Sequence, residues 1–169
     1  MPVNDFFSCI ESYYDNVTLL KGTVEMSEFD GWNRKIIDEF RANGGKVDGV
    51  LGRQAGRMLL LLHTKGAKSQ QERINPVAYV RDGDRFVVIA GLRKGGFAPT
   101  NPDWYYNIVA NPELTVEVGK ETFRVHATVT EEPERTRLYN KMIRMMPTFE
   151  DYRPKTNRKI PVILLTPMK

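Results

Sequence analysis

The alternation of apolar and polar residues divides the chain into a helical front and a strand-rich body. Phe6, Phe7, Ile10, Tyr13, Tyr14 and Val17 recur at three- and four-residue spacing, which predicts an amphipathic helix over residues 4 to 20. A second helix is predicted for residues 31 to 43. Phe29, Trp32, Ile36, Ile37 and Phe40 share one face, Asp30 stands at the N-cap position, and Gly44-Gly45 supplies the stop. Residues 45 to 57 are glycine-rich without periodicity and read as a loop.

Beyond this loop the period changes. Residues 58 to 64 form an apolar run without polar alternation, as expected of a strand covered on both faces. Strands at 74 to 80 and 85 to 91 follow, joined through Arg81-Asp82-Gly83-Asp84, whose Asp-Gly pair permits the positive φ of a tight turn. Asn101 as N-cap, Pro102 in the first turn and Asp103 near the positive dipole end open a short helix that ends near Ala110-Asn111. Residues 114 to 118 and 122 to 129 alternate about Gly119-Lys120-Glu121 and predict a second hairpin.

Thr130 is the expected cap of a last helix through about Met145, with Leu138, Met142, Ile143 and Met146 inward and Pro147 ending it. Residues 148 to 158 read as a loop, and Ile160 to Thr166 as a final buried strand. Six strands in hairpins joined by helices predict an α+β fold, a mostly antiparallel sheet closed or half closed into a barrel. The expected organisation is one domain over 1 to 169, with a helical segment at 1 to 45 and the barrel body at 58 to 167.

Composition narrows the function classes. Lys and Arg number 25 against 21 Asp and Glu, for a net charge of +4 without basic blocks. That balance does not indicate a nucleic-acid partner, and it is compatible with an anionic small molecule or a weakly anionic surface. Cys9, His63 and His126 cannot supply a zinc ligand set, so no metal is expected. The N-terminus carries Asp5, Glu11 and Asp15 and no continuous apolar core, and the longest apolar run, Met58 to Leu62, is too short to span a bilayer. A cytoplasmic protein is expected, with a peripheral membrane contact through residues 1 to 30 as an alternative.

The candidate chemistry lies in two basic, glycine-bearing loops. Lys65-Gly66-Ala67-Lys68-Ser69-Gln70-Gln71-Glu72-Arg73 joins the first two strands, and Arg93-Lys94-Gly95-Gly96 follows the third. A phosphate requires a cation, a directing hydroxyl or N–H, and a small residue that lets the backbone approach. Gly66, Lys68 and Ser69 offer these, although an exposed basic loop with no ligand has the same composition. Asn75-Pro76 interrupts a strand, as at an edge or bulge. Trp104, Tyr105 and Tyr106 are more typical of a core, and His63 of a hydrogen-bonded structural residue. No nucleophile–base arrangement can be assembled, so a bound cofactor would have to carry any redox chemistry.

The order of motifs resembles a known family. Gly66-x-Lys68-Ser69, Arg73-x-Asn75-Pro76, Arg81-Asp82-Gly83-Asp84, Lys94-Gly95-Gly96, Asn101-Pro102-x-Trp104-Tyr105-x-Asn107, Ala110-Asn111-Pro112 and Ile160-Pro161-Val162 through Thr166-Pro167 are similar to the deazaflavin (F420)-dependent nitroreductase and quinone reductase family. The resemblance implies a split β-barrel of the FMN-binding-like kind. It also implies hydride transfer from reduced coenzyme F420, which bears a phosphate and a polyglutamate tail, to a small conjugated acceptor.

Carried over residue by residue, Lys68, Ser69, Arg73 and Lys94 would hold the anionic chain. Asn75, Pro76, Ala90 and Gly91 would lie along the ring, with Trp104 and Asn107 supporting the wall. Ala78, Met146, Phe149 and Tyr152 would face the acceptor, Tyr152 as its proton or hydrogen-bond donor.

The chain departs from the family pattern at several positions. Ala67 replaces an Arg or Lys, Gln70 a Gly, and Ala78 a Tyr of the nitroreductase branch. Met146-Pro147-Thr148-Phe149-Glu150-Asp151-Tyr152 retains one tyrosine of a Tyr-Pro-x-Tyr-x-x-Tyr wall. The alternatives are an FMN-binding oxidoreductase on the same fold and a non-catalytic deazaflavin carrier.

Overall fold

The computed structural model describes residues 24–48, 58–91, 101–147 and 159–169. The predicted helix at 4 to 20, the Arg93–Gly96 loop with Lys94, and Phe149 and Tyr152 lie outside the described residues. In chain order the elements are α1 (Val24–Ala42), β1 (Leu59–Lys65), β2 (Glu72–Ala78), β3 (Val80–Asp82), β4 (Arg85–Ile89), α2 (Asp103–Ala110), β5 (Glu113–Val118), β6 (Glu121–Val129), α3 (Glu134–Met145) and β7 (Val162–Pro167).

The strands form one seven-stranded sheet in the order β2-β1-β5-β6-β7-β4-β3, antiparallel throughout. Its two edge strands, β2 and β3, are consecutive in sequence and separated only by Tyr79. The chain therefore crosses from one edge of the sheet to the other in a single step. That crossing requires the sheet to curl on itself, which makes it a split barrel. The six expected strands become seven because the second expected strand is divided at Tyr79.

Alternation along the strands sorts the core into an interior and two outer layers. Leu60, Leu62, Phe86, Val88, Leu114, Val116, Val125, Ala127, Ile163 and Leu165 fill the barrel with Trp104 and Ile108 of α2. On the outside, Leu59 and Leu61 meet Ile36 and Phe40 of α1. Val80, Val87, Ile89, Val162 and Leu164 meet Leu138, Tyr139 and Met142 of α3. Both faces of β1 and β4 are thus covered, which explains their unbroken apolar runs.

The helix ends depart from expectation at three places. α1 begins at Val24, so Asp30 lies inside the helix and not at its cap. Residues 24 to 30 contain no proline, and an interior Asp costs under about 1 kcal/mol. Its stop is as expected: Gly44 and Gly45 take φ of 63° and 91°, and Gly45 N–H donates to Phe40 O at 2.7 Å. Pro102, not Asn101, occupies the cap position of α2. Thr130 does not cap α3, whose N-cap is Pro133. Its hydroxyl donates instead to Val162 O at 2.9 Å and ties the start of β7 to the end of β6.

Candidate functional site: a split barrel edge and its basic loop

The hydrogen-bond parity of the β1–β2 pair decides which peptide groups face outward. Tyr79 N–H donates to Met58 O at 2.9 Å, and Gly66 N–H donates to Gln71 O at 2.8 Å. Bonded pairs alternate in an antiparallel ladder, so the intervening bonded pairs are Leu60–Val77, Leu62–Asn75 and Thr64–Arg73. Ile74, Pro76 and Ala78 then turn their peptide groups away from β1, toward the open edge. Pro76 sits where its missing N–H removes no β1–β2 bond.

The same parity describes the opposite rim. β3 and β4 pair only from Val80–Val87 to Asp82–Arg85. Extending that register would set Ala78 against Ile89, Val77 against Ala90 and Pro76 against Gly91, but the ladder does not continue. Pro76 offers no N–H to extend it, which gives one physical cause for the strands parting there. Ala90 N–H donates to Pro161 O at 3.0 Å, so Ile89, its neighbour in the alternation, turns toward the gap. Pro76 and Ala78 therefore face Ile89 across one split, with Ala90, fully buried and bonded to Pro161, and Gly91 next along that rim.

The two faces of β2 divide the other expected site residues. Arg73, Asn75 and Val77 share the inner face with Thr64, Leu62 and Leu60, on the side of Ala90 and Trp104. Pro76 and Ala78 take the outer face, where Ala78 packs on the cluster that contains Met146. Asn75 and Pro76 do not present their side chains together. Trp104 and Met146 are buried, at 9% and 7% exposure, so each acts as packing beneath a surface. Tyr106 is 45% exposed, contrary to its expected place in the core.

The basic loop is tightly built. Gly66 pairs with Gln71, and Gln70 N–H donates to Gly66 O at 2.9 Å. Gln70 takes φ of 57°, the left-handed conformation that glycine adopts most readily. Its side-chain amide returns to Gly66 O and Ala67 O at 3.3 and 3.4 Å. The tight turn therefore survives the replacement of glycine. Ser69 Oγ turns back into the loop and accepts from Gln71 N–H at 3.3 Å. A Cβ on Gly66 would lie 2.3 Å from that oxygen, which explains the glycine.

Asn107, on α2, completes the arrangement. Its Oδ1 accepts from Ala67 N–H at 3.0 Å and its Nδ2 donates to Thr64 Oγ1 at 3.2 Å. With the amides of Gly66, Ala67, Gln70 and Gln71 all engaged, those of Lys68 and Ser69 have no bonded partner among the described residues. Lys68 is exposed, and among the described residues Arg73 meets only the neutral Gln71 Oε1, at 3.4 Å. The loop tip thus presents two N–H donors and unneutralised cations, a favourable anion site.

A second charged group lies away from the loop. Arg41 and His63 both bond to Glu117, at 2.6 and 2.7 Å to Oε1, and the carboxyl is held below its usual range, first by the Arg41 hydrogen bond. His63 is hydrogen-bonded, as expected. A concavity of about 290 Å³ beside this group, lined by Phe40, Arg41, Gly44, Glu117, Gly119 and Lys120, lies at the α1–β5–β6 junction, apart from the split. No helix among the described residues is long and apolar enough to cross a membrane.

Comparison with known proteins places this architecture. The family model for F420H(2)-dependent quinone reductase matches residues 32–167. The chain belongs to that family. An F420H(2)-dependent quinone reductase of Mycobacterium tuberculosis is 39% identical over 110 residues, covering 63% of this chain and 72% of the relative. The solved structure of an F420-H2 dependent reductase, FDR-A, is 33% identical with a TM-score of 0.57, covering 64% of this chain and 94% of its own. A second solved chain, described as a domain-swapped dimer, is 31% identical with a TM-score of 0.58, covering 80% and 98%. Membership makes this chain an oxidoreductase, and the resemblance read from the motifs holds over nearly the whole barrel.

Proposed function

We propose that the chain transfers a hydride from reduced coenzyme F420 to a flat small-molecule acceptor: a quinone, an enone or a nitro compound. One observation carries the reading for this chain's own residues. A preformed loop, with two N–H groups and two cations that meet no counter-ion or backbone acceptor among the described residues, stands at one end of an open strand edge. At about 3.3 Å per residue, Gln71 and Pro76 lie roughly 17 Å apart along β2. An elongated ligand with an anion at one end and a ring at the other fits such a span.

Lys68, Arg73 and the amides of Lys68 and Ser69 would hold the phosphate. Lys94 would add to the anionic side. The outward C=O of Pro76 and N–H of Ala78 suit the donor–acceptor edge of a deazaflavin ring, with Ala90 and Gly91 on the facing rim. When bound, the coenzyme supplies the hydride.

The protein's own contribution is placement. Its strands exclude water from one ring face and bring the acceptor within near-attack distance of about 3–3.5 Å. Ala78, over the cluster that holds Met146, gives an apolar wall suited to a flat conjugated ring. Tyr152 is the proposed hydrogen-bond or proton donor to the reduced acceptor, with Phe149 proposed as a further acceptor-facing residue. Tyr152→Phe should lower turnover more than coenzyme binding, and equal losses in both would remove that role. Titration with reduced F420, FMN and NADPH tests the whole reading. F420 should bind with micromolar or better affinity, while preferential FMN binding would replace it with the flavoprotein alternative. F420 binding without oxidation across an acceptor panel would point to a carrier.

A further inference from the structure

Asn107 falls within the motif that resembles the family's coenzyme site, yet both ends of its side-chain amide point into the protein. Its oxygen receives Ala67 N–H and its nitrogen donates to Thr64 Oγ1, while Asn107 and Thr64 are only 8% and 5% exposed. The loop's other hydrogen bonds among the described residues are local: Gly66 with Gln71, Gln70 with Gly66 and Ala67, Ser69 with Gln71, Gln71 with Arg73. Among the described residues, the Asn107 bond is what ties the loop to another element. α2 in turn is fixed to the barrel interior by Trp104 and Ile108.

From this geometry we propose that Asn107 is a positioning residue for coenzyme binding, one that shapes the basic loop from behind and does not contact the ligand. The inference rests on the F420 reading above. Holding Ala67 N–H fixes which amides remain free at the tip, those of Lys68 and Ser69, and directs them outward. A loop ordered before binding loses less conformational freedom when the anion arrives. Thr64, buried behind Asn107, belongs to the same device: its hydroxyl sets the orientation of the amide. The effect should therefore fall on affinity and only weakly on hydride transfer.

Fluorescence titration with F420 and backbone amide exchange of the ligand-free protein test the proposal together. Loss of a buried bond of this kind corresponds to about a 10-fold rise in Kd for Asn107→Ala and about 3-fold for Thr64→Val. Combining the two should be no worse than Asn107→Ala alone, because both act through one link. Thr64→Ser, which keeps the hydroxyl, should restore wild-type affinity. Lys68→Ala and Asn107→Ala together should cost less than the product of their separate effects. Exchange at the Ala67 amide should accelerate about 10-fold in Asn107→Ala.

Strictly multiplicative losses with unchanged Ala67 exchange would mean that Asn107 acts by direct contact, and would overturn the inference. Normal wild-type binding with Asn107→Ala and Thr64→Val unaffected would also overturn it, alone. A wild-type chain that binds no F420 would remove the functional reading and the affinity part together.

Discussion

The two turns that flank β2 and β3 are both rich in charge, yet they treat it in opposite ways. At the β3–β4 turn, Asp82 is encircled: Arg85 Nη2 lies at 2.7 Å, Lys141 Nζ at 3.0 Å, and Arg137 reaches both oxygens at 3.1 and 3.2 Å. Its side chain is 12% exposed, and its carboxyl is driven far below the ordinary range, first by the Arg137 hydrogen bond and then by Lys141. At the β1–β2 turn, Lys68 has no ion-pair partner among the described residues and Arg73 has only a neutral one. Charge closed upon itself holds α3 to the sheet. Charge left open is available to a ligand. The location of the counter-ions, not the basic composition, distinguishes the two turns.

The largest expected effect separates the turns by binding. Lys68→Ala with Arg73→Ala should raise the F420 Kd about 100-fold, the loss of about 2.7 kcal/mol of charge-assisted bonding, with unfolding free energy changed by under about 0.5 kcal/mol. Titration and urea denaturation of the same variant check both halves. Destabilisation without weaker binding would invert the comparison.

Next is the closed turn. Asp82→Asn should cost about 2 kcal/mol in urea denaturation by leaving three cations with weaker partners, and should leave F420 affinity within about 2-fold. Asp82 and Glu117 both have folded-state pKa values below their unfolded ones. Their stabilisation is therefore full above the unfolded carboxylate range, near about 4, and is lost as pH falls through the folded values. Acid denaturation followed by circular dichroism should show a shallower slope for Asp82→Asn than for wild type.

Glu117→Gln sharpens the picture at a third place. Arg41 is half exposed, so solvent screening limits the loss to about 1 kcal/mol, with no change in F420 Kd. The smallest effect is expected at Gln70. Glycine relieves its left-handed strain but loosens the unfolded chain and removes two long hydrogen bonds. A net gain of about 0.5 kcal/mol is expected by thermal denaturation.

Much of this architecture was legible in the residues. Alternation about Gly119 gave one hairpin and the Asp82-Gly83 pair the other, since a period of two is a local property and both turns need positive φ. Gly44-Gly45 gave the helix stop for the same reason. The division at Tyr79 was not legible, because Val77 through Val80 keep an uninterrupted strand pattern while the partner strand changes. Thr130 has the composition of a cap, but a tertiary acceptor, Val162 O, takes its hydroxyl.

The site was legible as motifs more than as geometry. Lys68 and Pro76 could be named, whereas the closed charges of Asp82 depend on α3, 55 and 59 positions further along the chain. Asn107 could be placed in a motif, but its link to Ala67 spans 40 positions and leaves no local trace.

The most direct test is the affinity of wild type and Lys68→Ala for reduced F420, with FMN as the competing ligand, measured at low and at high salt. The account predicts micromolar or tighter F420 binding, weakened about 10-fold by the substitution, with a smaller salt dependence in the variant. Preferential binding of FMN, or F420 affinity indifferent to both Lys68 and salt, would contradict it.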